Sequence, residues 1–425
     1  MTINLPFVME FVIYLTNRCN LACEMCSQYG ENFKENAPQE LSLEDWEKFL
    51  LDISDTNPKP KIILMGGEPL LYKNFDKLFQ MLQDFQFPVH IVTNGTLLDK
   101  HLELLANSDI TITISIDGLE EKHDKIRGKQ GTFRKVIENI KLANKMQESG
   151  AKFKLYVNSV ILPDNVNEMS NFIEYMQQFN IEQFVFQHLQ FSSREINSKT
   201  NTIWKKDVGC EFNNETLLTK KSYSLTTEYV NQIKNNLSKL SRVCKRETFV
   251  FPYLNDTEME SYYSDTNLDK IRPYFTCTTP WLCAFISPDG YVSNCIQNTV
   301  GNIKDNDFWT LWNNNNANKI RNSLCKNGSF EFCKKCCNFY KSHFLLAPNG
   351  EIKINNKTLV LPSELNYMRA CPDGVFVLDK TIQVNNDKIP VIPVEVHSKQ
   401  QLEEIKMNET IVNYFSDIKG GSNEN

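Results

Sequence analysis

The sequence predicts an α/β protein whose first part is a parallel sheet wound as a partial (βα)6 barrel of the TIM type. Two observations lead to this fold class. Over the first 190 residues, six short runs rich in β-branched side chains alternate with amphipathic helical patterns. Alternation at this period is typical of parallel strands joined by crossover helices. A closed barrel of eight units needs two more strand and helix pairs than this region supplies.

Each unit of the barrel is visible as a strand signal followed by a helix signal. Several helix patterns follow side chains that commonly cap helices, namely Ser42, Asn74, Thr132 and Asn165. The apolar residues of these patterns recur with the spacing of one buried helix face. The predicted strands cover residues 8–16, 61–65, 88–93, 110–116, 152–161 and 181–189, and the predicted helices cover 43–53, 75–85, 97–105, 133–146 and 166–179.

The chain changes character after the sixth predicted strand. The next stretch is polar and aromatic, and its one clear helix pattern, at 226–240, indicates a connector. A cysteine-dense stretch follows and indicates a small domain of its own. The last stretch shows strand signals, as in "GEIKINNKTLVL", and a helix pattern at 400–406, which predicts a β-rich C-terminal extension. The predicted regions are 1–190, 191–275, 276–340 and 341–425.

Composition and charge exclude several classes of function. The chain has 46 Lys and Arg against 52 Asp and Glu, a net charge of −6, and no basic block, so nucleic acid is not an expected partner. No signal peptide pattern and no apolar stretch of membrane-spanning length occurs, which predicts a cytoplasmic protein with no membrane partner. In that compartment the 13 cysteines are expected to be metal ligands or core residues rather than disulfides.

Three of these cysteines lie close together directly after the first predicted strand. Cys19, Cys23 and Cys26 have the spacing C-x3-C-x2-C, and active sites of αβ barrels lie at the C-terminal ends of the strands. Three neighbouring thiolates can hold three irons of a four-iron cluster and leave the fourth iron open. The alternatives are an incomplete zinc site and three core cysteines. A structural zinc site needs four ligands, and no nearby His or Cys supplies the fourth.

Five short motifs stand at or after the ends of successive predicted strands. The first is "CNLACEMC", which contains the three cysteines and has Met25 before the last of them. The others are "GGEP" at 66–69, "TNGT" at 93–96, "SIDG" at 115–118 and "HDKIRGKQGTF" at 123–133. Each alone is a weak signal, because glycine turns are common. Together, and in this order, they resemble the signature of the radical S-adenosylmethionine (SAM) superfamily.

The resemblance implies an enzyme with a [4Fe–4S] cluster on Cys19, Cys23 and Cys26, which are then its catalytic residues. The open iron is expected to chelate the amino and carboxylate groups of SAM. One electron from the cluster then cleaves SAM to a 5′-deoxyadenosyl radical, which abstracts a hydrogen from the substrate. The cofactors carry the difficult chemistry, and the protein positions them and excludes water.

The resemblance also implies which side chains surround SAM. The backbone at 66–67, with Glu68, is expected to accept the ammonium group, and Arg127 is expected to hold the carboxylate in a charge-assisted pair. Ser115 and Asp117 are expected to bond carboxylate or ribose hydroxyl groups. The ribose and adenine pocket is completed on the fifth and sixth strands, so that the implied cofactor-binding residues are Gly66, Gly67, Glu68, Thr93, Asn94, Ser115, Asp117, Arg127, Asn158 and His188, with the backbone of 187–189.

A second group of cysteines lies in the predicted small domain. The segment "CTTPWLCAFISPDGYVSNC" is followed by "VGNIKDNDFWTLWNN" and "FEFCKKCC". Since "PDGYV" is a turn between two strand signals, Cys277 and Cys295 are expected on the two arms of one hairpin. The segments resemble the SPASM and twitch type of auxiliary-cluster domain. This resemblance implies one auxiliary [4Fe–4S] cluster, whose metal ligands are Cys277, Cys295, Cys333 and Cys336.

A zinc ribbon is the alternative for this group, because four paired cysteines also suit tetrahedral zinc. Domains with two auxiliary clusters usually carry a further run of cysteines, and that run is absent here after Cys337. A single auxiliary cluster is therefore expected. Cys210 and Cys244 are interpreted as packing residues, and the alternative ligands are Cys283, Cys325, Cys337 and Cys371.

Three classes of function remain open. The first is a radical SAM oxidoreductase whose auxiliary cluster accepts an electron or handles the substrate. The second is a maturase that crosslinks or oxidises a ribosomally made peptide, although a first strand near Phe7 is expected to leave no room for a preceding leader-binding domain. The third is a non-catalytic zinc or iron protein. The expected partners are a small-molecule or peptide substrate and a reductant such as flavodoxin or ferredoxin.

Overall fold

The computed structural model describes most of the chain before residue 342 and five short strands after it. The predicted helix at 400–406 and Cys371 lie outside the described residues, as does the side chain of Cys325. In the described part, no helix is both long enough and apolar enough to cross a membrane. The described ranges are 8–26, 39–57, 59–212, 225–252, 254–271, 277 and 279–341, with the strands at 351–354, 357–360, 368–369, 377–378 and 394–395.

Six parallel strands form the centre of the fold, which confirms the predicted βα barrel core. Each strand pairs in parallel with the next one along the chain, as is typical of strands joined by crossover helices. Their carboxyl ends therefore meet at one rim of the curved sheet. The strands are β1 Glu10–Tyr14, β2 Lys61–Met65, β3 Val89–Thr93, β4 Thr111–Ser115, β5 Lys154–Ile161 and β6 Gln183–His188.

Two of the helices between these strands begin directly after a predicted cap, Ser42 or Asn74, whereas two later helices begin at Thr132 itself and at Met169, beyond Asn165. At the first, the Ser42 side chain accepts a hydrogen bond from the Asp45 N–H, and the Asp45 carboxylate accepts from the Ser42 N–H, a capping box. One helix, Glu120–Arg127, was not predicted, because its sequence EEKHDKIR has too few apolar residues to show a helical period. The helices are α1 Leu43–Ile53, α2 Phe75–Asp84, α3 Leu102–Leu105, α4 Glu120–Arg127, α5 Thr132–Glu148 and α6 Met169–Met176.

Two further parallel strands extend this sheet, one at each side. Strand β7, Glu247–Phe251, pairs with β6, and strand β8, Cys283–Ile286, pairs with β1. The segment predicted as a connector therefore supplies a strand of the sheet. It also contains the predicted helix, α8 Thr227–Val243. Two further helices of this segment, α7 Arg194–Asp207 and α9 Asp256–Ser264, were not predicted.

The cysteine-dense segment continues the same sheet as a hairpin. After β8 the chain turns at Gly290, which has a φ of +94°, and returns as β9, Tyr291–Cys295, antiparallel to β8. Strand β10, Asn298–Asn302, adds to β9. The domain boundary predicted at residue 276 stays a prediction. The remaining elements are α10 Thr279–Leu282, α11 Phe308–Trp312, α12 Asn315–Asn327, a 3-10 helix Glu331–Lys335 and α13 Cys337–Lys341.

The segment "DFWTLW" attaches the hairpin region to the barrel. The Phe308 ring packs edge-on against Phe11 of β1 and Phe49 of α1, with ring centroids 4.8 and 5.9 Å away. The Phe308 N–H and the Trp309 indole N–H donate to the side chain and the carbonyl of Asp52. Aromatic pairs of this kind stabilise by about 0.5–1.5 kcal/mol each beyond their buried area.

The sheet separates two buried layers. On the helix face, Phe11, Ile62 and their neighbours join the main hydrophobic core. On the inner face, Val12, Ile63 and Phe285 form a second cluster. Because successive strand residues point to opposite faces, this alternation decides which side chains can reach the inside of the barrel.

The described part of the C-terminal extension consists of short antiparallel pairs, as the strand signals predict. Strands β11 Glu351–Ile354 and β12 Lys357–Val360, both from the sequence quoted above, pair antiparallel. Strand β13, Met368–Arg369, pairs with β7. Strands β14 Val377–Leu378 and β15 Val394–Glu395 form a third pair.

Candidate active site

The three N-terminal cysteines lie on the loop that follows β1, at the rim formed by the strand ends. Cys19 and Cys23 are partly buried, and Cys26 is exposed. Burial raises the pKa of the Cys19 thiol to about 11, and the nearby Cys23 and Cys26 raise it further by like-charge repulsion, against a hydrogen bond from the backbone of Leu21. The three cysteines therefore lie on one short loop, close enough to influence each other's charge.

Paired glycines allow the turn after β2 to pack directly on this loop. The Gly67 N–H donates to the Thr16 carbonyl at 2.7 Å, and the Glu68 N–H donates to the Arg18 carbonyl at 2.8 Å. A Cβ at Gly66 would lie 2.5 Å from the Thr16 oxygen, and one at Gly67 would overlap the Arg18 oxygen. The glycines thus permit close approach to the protein's own backbone. Among the described residues, no hydrogen bond ends on the Gly66 or Gly67 carbonyl.

The Glu68 carboxylate faces the protein in this structure. The side chain is 0% exposed and accepts hydrogen bonds from the Thr93 hydroxyl at 2.7 Å, the Asn94 N–H at 2.8 Å and the Leu70 N–H at 3.2 Å. Burial raises the pKa of Glu68 to about 7, against the lowering effect of these donors. Glu68 and Thr93 therefore join the ends of β2 and β3, and a contact of either with SAM stays a prediction.

Asn94 connects this junction to the cysteine loop. Its amide Nδ2 donates to Asn20 Oδ1 at 2.9 Å, and Asn20 Nδ2 donates to the Thr96 hydroxyl at 2.8 Å. Asn20 stands between two of the cysteines in sequence. Neither Asn20 nor Thr96 was predicted as a site residue, although both lie inside quoted motifs. The signal that could have found them is a polar side chain next to a proposed ligand.

Arg127 is held against the cysteine loop by a buried ion pair. Its Nη2 lies 2.6 Å from Asp117 Oδ2, and its Nη1 donates to Cys23 Sγ at 3.6 Å. The side chains of Arg127 and Asp117 are 9% and 0% exposed. Asp117 also accepts from the Val160 N–H at 2.8 Å. Asp117 is thus buried between Arg127 and β5, and its expected bond to SAM stays a prediction.

The backbone around Arg127 forms one wall of the loop. The Ala22 N–H donates to the Arg127 carbonyl at 3.2 Å, and the Glu24 N–H donates to the Ile126 carbonyl at 2.9 Å. Gly128 ends α4 with a φ of +70°, and a Cβ there would lie 2.6 Å from the Ala22 carbonyl oxygen. The end of α4 therefore shapes the same loop as the "GGEP" turn does from the other side.

The inner face at β4, β5 and β6 carries polar side chains near this rim. Ser115 is paired in register with Asn158, and Asn158 Nδ2 donates to Gln187 Oε1 at 3.3 Å. All three are partly exposed. Gln187 was expected to contribute only backbone, but its side chain lies beside Asn158. The alternation of the strand places it on the inner face.

His188 lies on the opposite face of β6, so its side chain does not reach the pocket expected for SAM. Its Nδ1 is 2.8 Å from the Tyr263 hydroxyl, and the ring is buried against Tyr262 and Tyr263. Burial lowers the pKa of His188 to about 3, which keeps the ring neutral. The one-residue step from Gln187 to His188 changes the face, and only the backbone of His188 remains available for the expected contact.

The second cysteine group surrounds one small cavity. Cys277, Cys295, Cys333 and Cys336 line a space of about 30 Å³ together with aromatic side chains. Cys277 was expected on a hairpin arm, and this prediction is wrong. It lies before α10, because the arm begins only at Cys283. Burial raises the pKa of Cys295 to about 12, and neighbouring Cys277 adds to the effect. The aromatic walls are Trp204, Phe212, Phe330, Phe332 and Phe339.

The other described cysteines lie elsewhere. Cys283 is the first residue of β8, on the inner face of the sheet, where its sulfur is 4.0 Å from Glu10 Oε1. Cys337 follows Cys336 but does not line the cavity. Cys244 is buried at the end of α8, and the exposed Cys210 accepts from the Trp204 indole N–H at 3.3 Å. The packing role expected for Cys244 fits its burial, whereas Cys210 is exposed.

Two protein-family models match the chain at these two sites. The model described as the radical SAM superfamily matches residues 13–176, and the model described as the SPASM iron–sulfur cluster-binding domain matches residues 277–338. The chain therefore contains a radical SAM domain and a SPASM domain. The first match contains the loop of Cys19, Cys23 and Cys26, and the SPASM match contains the four cysteines of the cavity. The cofactors of the chain are therefore the [4Fe–4S] cluster and SAM that radical SAM domains use, with further iron–sulfur binding in the SPASM domain.

The chain spans less than half the length of each of two curated relatives that it matches. The sporulation killing factor maturation protein SkfB of Bacillus subtilis is 33% identical over 176 residues, which are 41% of this chain and 40% of that protein. The Fe-coproporphyrin III synthase of Methanosarcina barkeri is 29% identical over 183 residues, or 42% and 44% of the two chains.

The solved structures extend the likeness to the fold of most of the chain. Streptococcus suis SuiB bound to S-adenosylmethionine has a TM-score of 0.54 at 20% identity, over 78% of this chain and 72% of SuiB. SuiB bound to its precursor peptide SuiA gives a TM-score of 0.52 at 21% identity, over 78% and 71%. At this level of identity the likeness shows a shared fold.

The donor sets fit iron–sulfur clusters better than zinc. Among the described residues, no three His, Cys, Asp or Glu side chains converge closely enough to hold a single metal ion. Zinc needs its sulfur ligands about 2.3 Å from one point, whereas the thiolates of a four-iron cluster each bind a separate iron. Thiols spread around a cavity therefore suit a cluster, in agreement with the match of these residues to an iron–sulfur cluster-binding domain.

The buried Glu68 carboxylate gives a first testable prediction. We expect Glu68→Gln to lower the free energy of unfolding of the apoprotein by about 1–3 kcal/mol, because an amide nitrogen would face one of three N–H or O–H donors. Urea titration followed by circular dichroism measures the change. Glu47→Gln, on the exposed face of α1, is the matched control and is expected to change stability by less than about 0.5 kcal/mol. Equal stability of the two variants would contradict the role of Glu68 in joining the ends of β2 and β3.

Proposed function

We propose that this chain is a radical SAM enzyme of the SPASM type with oxidoreductase-like chemistry. The observation that supports this most directly is the gathering of Cys19, Cys23 and Cys26 on one loop at the strand rim, braced from β2, β3 and α4. When bound there, the cluster and SAM supply a 5′-deoxyadenosyl radical that removes a hydrogen atom from the substrate. The protein has to hold these groups in place and exclude water.

The residues around the loop have separate roles in this proposal. The Gly66 and Gly67 carbonyls are free acceptors, within the described residues, for the SAM ammonium group. Arg127 places positive charge beside Cys23, which favours the thiolate and attracts the SAM carboxylate. Ser115 and Asn158 offer polar groups on the inner face to the ribose and adenine.

The four cysteines of the second cavity are proposed to hold one auxiliary [4Fe–4S] cluster. Its walls come from the hairpin region and from α7 of the segment first interpreted as a connector. Aromatic walls exclude water, which protects a cluster and sets its potential. An electron-accepting or substrate-handling role for this cluster fits its enclosure by two regions of the chain.

We further propose a peptide as the substrate class. SkfB is named as a maturation protein of a killing factor, and the structure of SuiB contains a precursor peptide. Fe-coproporphyrin III synthase matches nearly the same share of the chain, so a small-molecule substrate is the second candidate. The selecting residues are expected on the loops and in the segments outside the matched domains.

The partners and compartment belong to the same proposal. The cluster needs an electron donor, for which a flavodoxin or ferredoxin is suitable. Exposed and half-buried free thiols at the proposed ligand positions favour a reducing, cytoplasmic setting.

Release of 5′-deoxyadenosine tests the proposed activity. Protein that has been reconstituted anaerobically with iron and sulfide is expected to release it when dithionite and SAM are added, slowly even without substrate. Chromatography with mass detection measures the product, and protein without reconstitution is the control. If fully loaded protein releases none, with or without candidate peptides, the proposed activity is wrong.

A further inference from the structure

Lys335 stands between two proposed cluster ligands in the sequence "CKKC" and is completely buried. Its side chain is 0% exposed, and Nζ lies 2.5 Å from Asp265 Oδ1. Nζ also donates to the Tyr262 carbonyl. The Phe191 and Tyr262 rings flank the ammonium group, with their centroids 4.1 and 4.4 Å from Nζ. The protein thus encloses this lysine in a box of one carboxylate, one carbonyl and two aromatic rings.

This enclosure matters because lysine is almost never fully buried unless it is paired. The desolvation of an ammonium group is large, and the Asp265 carboxylate and the two ring faces offset it. Asp265 directly follows α9 and has a φ of +57°, in the left-handed region that L-residues seldom occupy. The 3-10 helix that carries Lys335 and the end of α9 are therefore joined by an interaction between distant parts of the sequence.

The end of α9 is in turn joined to the barrel rim. The Tyr262 hydroxyl donates to the Leu189 carbonyl at 2.9 Å, and the Tyr263 hydroxyl lies 2.8 Å from His188 Nδ1. Leu189 and His188 stand where β6 ends, on the rim that also carries the N-terminal cysteine loop. A continuous set of contacts thus runs from the Cys333–Cys336 segment through Lys335 and α9 to β6.

We infer that the Lys335–Asp265 pair is a positioning device, which holds the Cys333–Cys336 segment, and with it the auxiliary cluster, at a fixed place relative to the barrel rim. Both residues are positioning residues, since neither lines the cavity. The inference rests on the auxiliary cluster of the proposed function. A second contact fixes the start of the same segment, where the Phe332 N–H donates to the Thr200 hydroxyl at 3.1 Å. The end of the segment, before Cys336, is held by the Lys335–Asp265 pair.

The test compares Lys335→Met, Asp265→Asn and the double variant in the full chain. After anaerobic reconstitution, an iron chelator is added and the release of iron is followed by absorbance. Each single variant is expected to lose the slowly released, auxiliary half of its iron at least about tenfold faster than wild type. The double variant is expected to release this iron more slowly than either single variant, because it leaves no buried charge without its partner. The electron paramagnetic resonance signal of the reduced auxiliary cluster is expected to shift in the single variants.

Matched controls separate this role from a general loss of stability. Lys205→Met breaks the exposed Lys205–Glu211 pair and is expected to leave iron release unchanged. Release of 5′-deoxyadenosine without substrate is expected to persist in Lys335→Met. If one single variant does not fold, the other single variant and the double variant carry the comparison, and a soluble double variant beside an insoluble single variant supports the pairing.

Two outcomes overturn the inference, and they differ from failure of the proposed function. Wild-type protein with about eight irons, together with single variants that release iron as wild type does, shows that the pair does not position the cluster. A double variant whose effect equals the product of the two single effects shows that the residues act independently. Wild-type protein with only about four irons removes the auxiliary cluster itself, and this inference with it.

Discussion

Replacing Cys19, Cys23 and Cys26 together with alanine is expected to abolish 5′-deoxyadenosine release while about half of the iron and sulfide remains. The loop after β1 then has no thiolate, whereas Cys277, Cys295, Cys333 and Cys336 keep their cavity between α7 and the hairpin region. The remaining cluster has four protein ligands and no open iron. Its absorption spectrum is therefore expected not to respond to added SAM.

The reciprocal variant tests the independence of the two sites. Cys333→Ala with Cys336→Ala is expected to lose the auxiliary half of the iron and keep substrate-free cleavage of SAM. Cys244→Ala, a cysteine at the end of α8 that does not line the cavity, is the control and is expected to keep all iron. Zinc in place of the residual iron in the triple variant would contradict the auxiliary cluster, and complete loss of iron would contradict the independence of the sites.

The central fold could be predicted because its signals are local. The six strands and the helix after Ser42 follow from β-branched runs and capping residues that neighbouring sequence supplies. Strand β7 was not recognised in the polar and aromatic connector, and β8 could not be predicted as part of this sheet, because its partner is distant in sequence. Glu10 of β1 and Cys283 of β8 are neighbours in register although most of the chain separates them. Nothing in the sequence "CAFI" shows that it will pair with β1.

The candidate site shows a similar limit. The motifs correctly gathered the cysteine loop, the "GGEP" turn and Arg127 at one rim, but they did not show which way each side chain faces. Glu68 and Asp117 belong to the motifs and are buried among protein donors. A carboxylate that braces two strand ends and one that binds a ligand give the same sequence pattern. Only the packing of the neighbouring elements distinguishes them.

Arg127→Ala is expected to have the second large effect, on the cluster as well as on SAM. Removing the guanidinium leaves Asp117 buried without its cation, which typically costs about 3–5 kcal/mol. It also removes the donor that lies 3.6 Å from the Cys23 sulfur. We therefore expect lower iron loading at the first site and SAM affinity reduced by more than about tenfold. Iron content after reconstitution and the spectral response to SAM measure the two effects separately.

The exposed Arg134 provides the matched control, since its pair with Glu120 lies on the surface and its loss is expected to change neither quantity. Arg127→Ala combined with Asp117→Asn removes both charges of the pair. The double variant is expected to recover part of the iron loading, because no carboxylate is left buried alone, but not the SAM affinity, because the cation stays absent. Normal iron loading in Arg127→Ala would show that Arg127 serves the SAM carboxylate alone, as the sequence motif by itself implies. Normal SAM affinity would show that its contacts with Asp117 and Cys23 are purely structural.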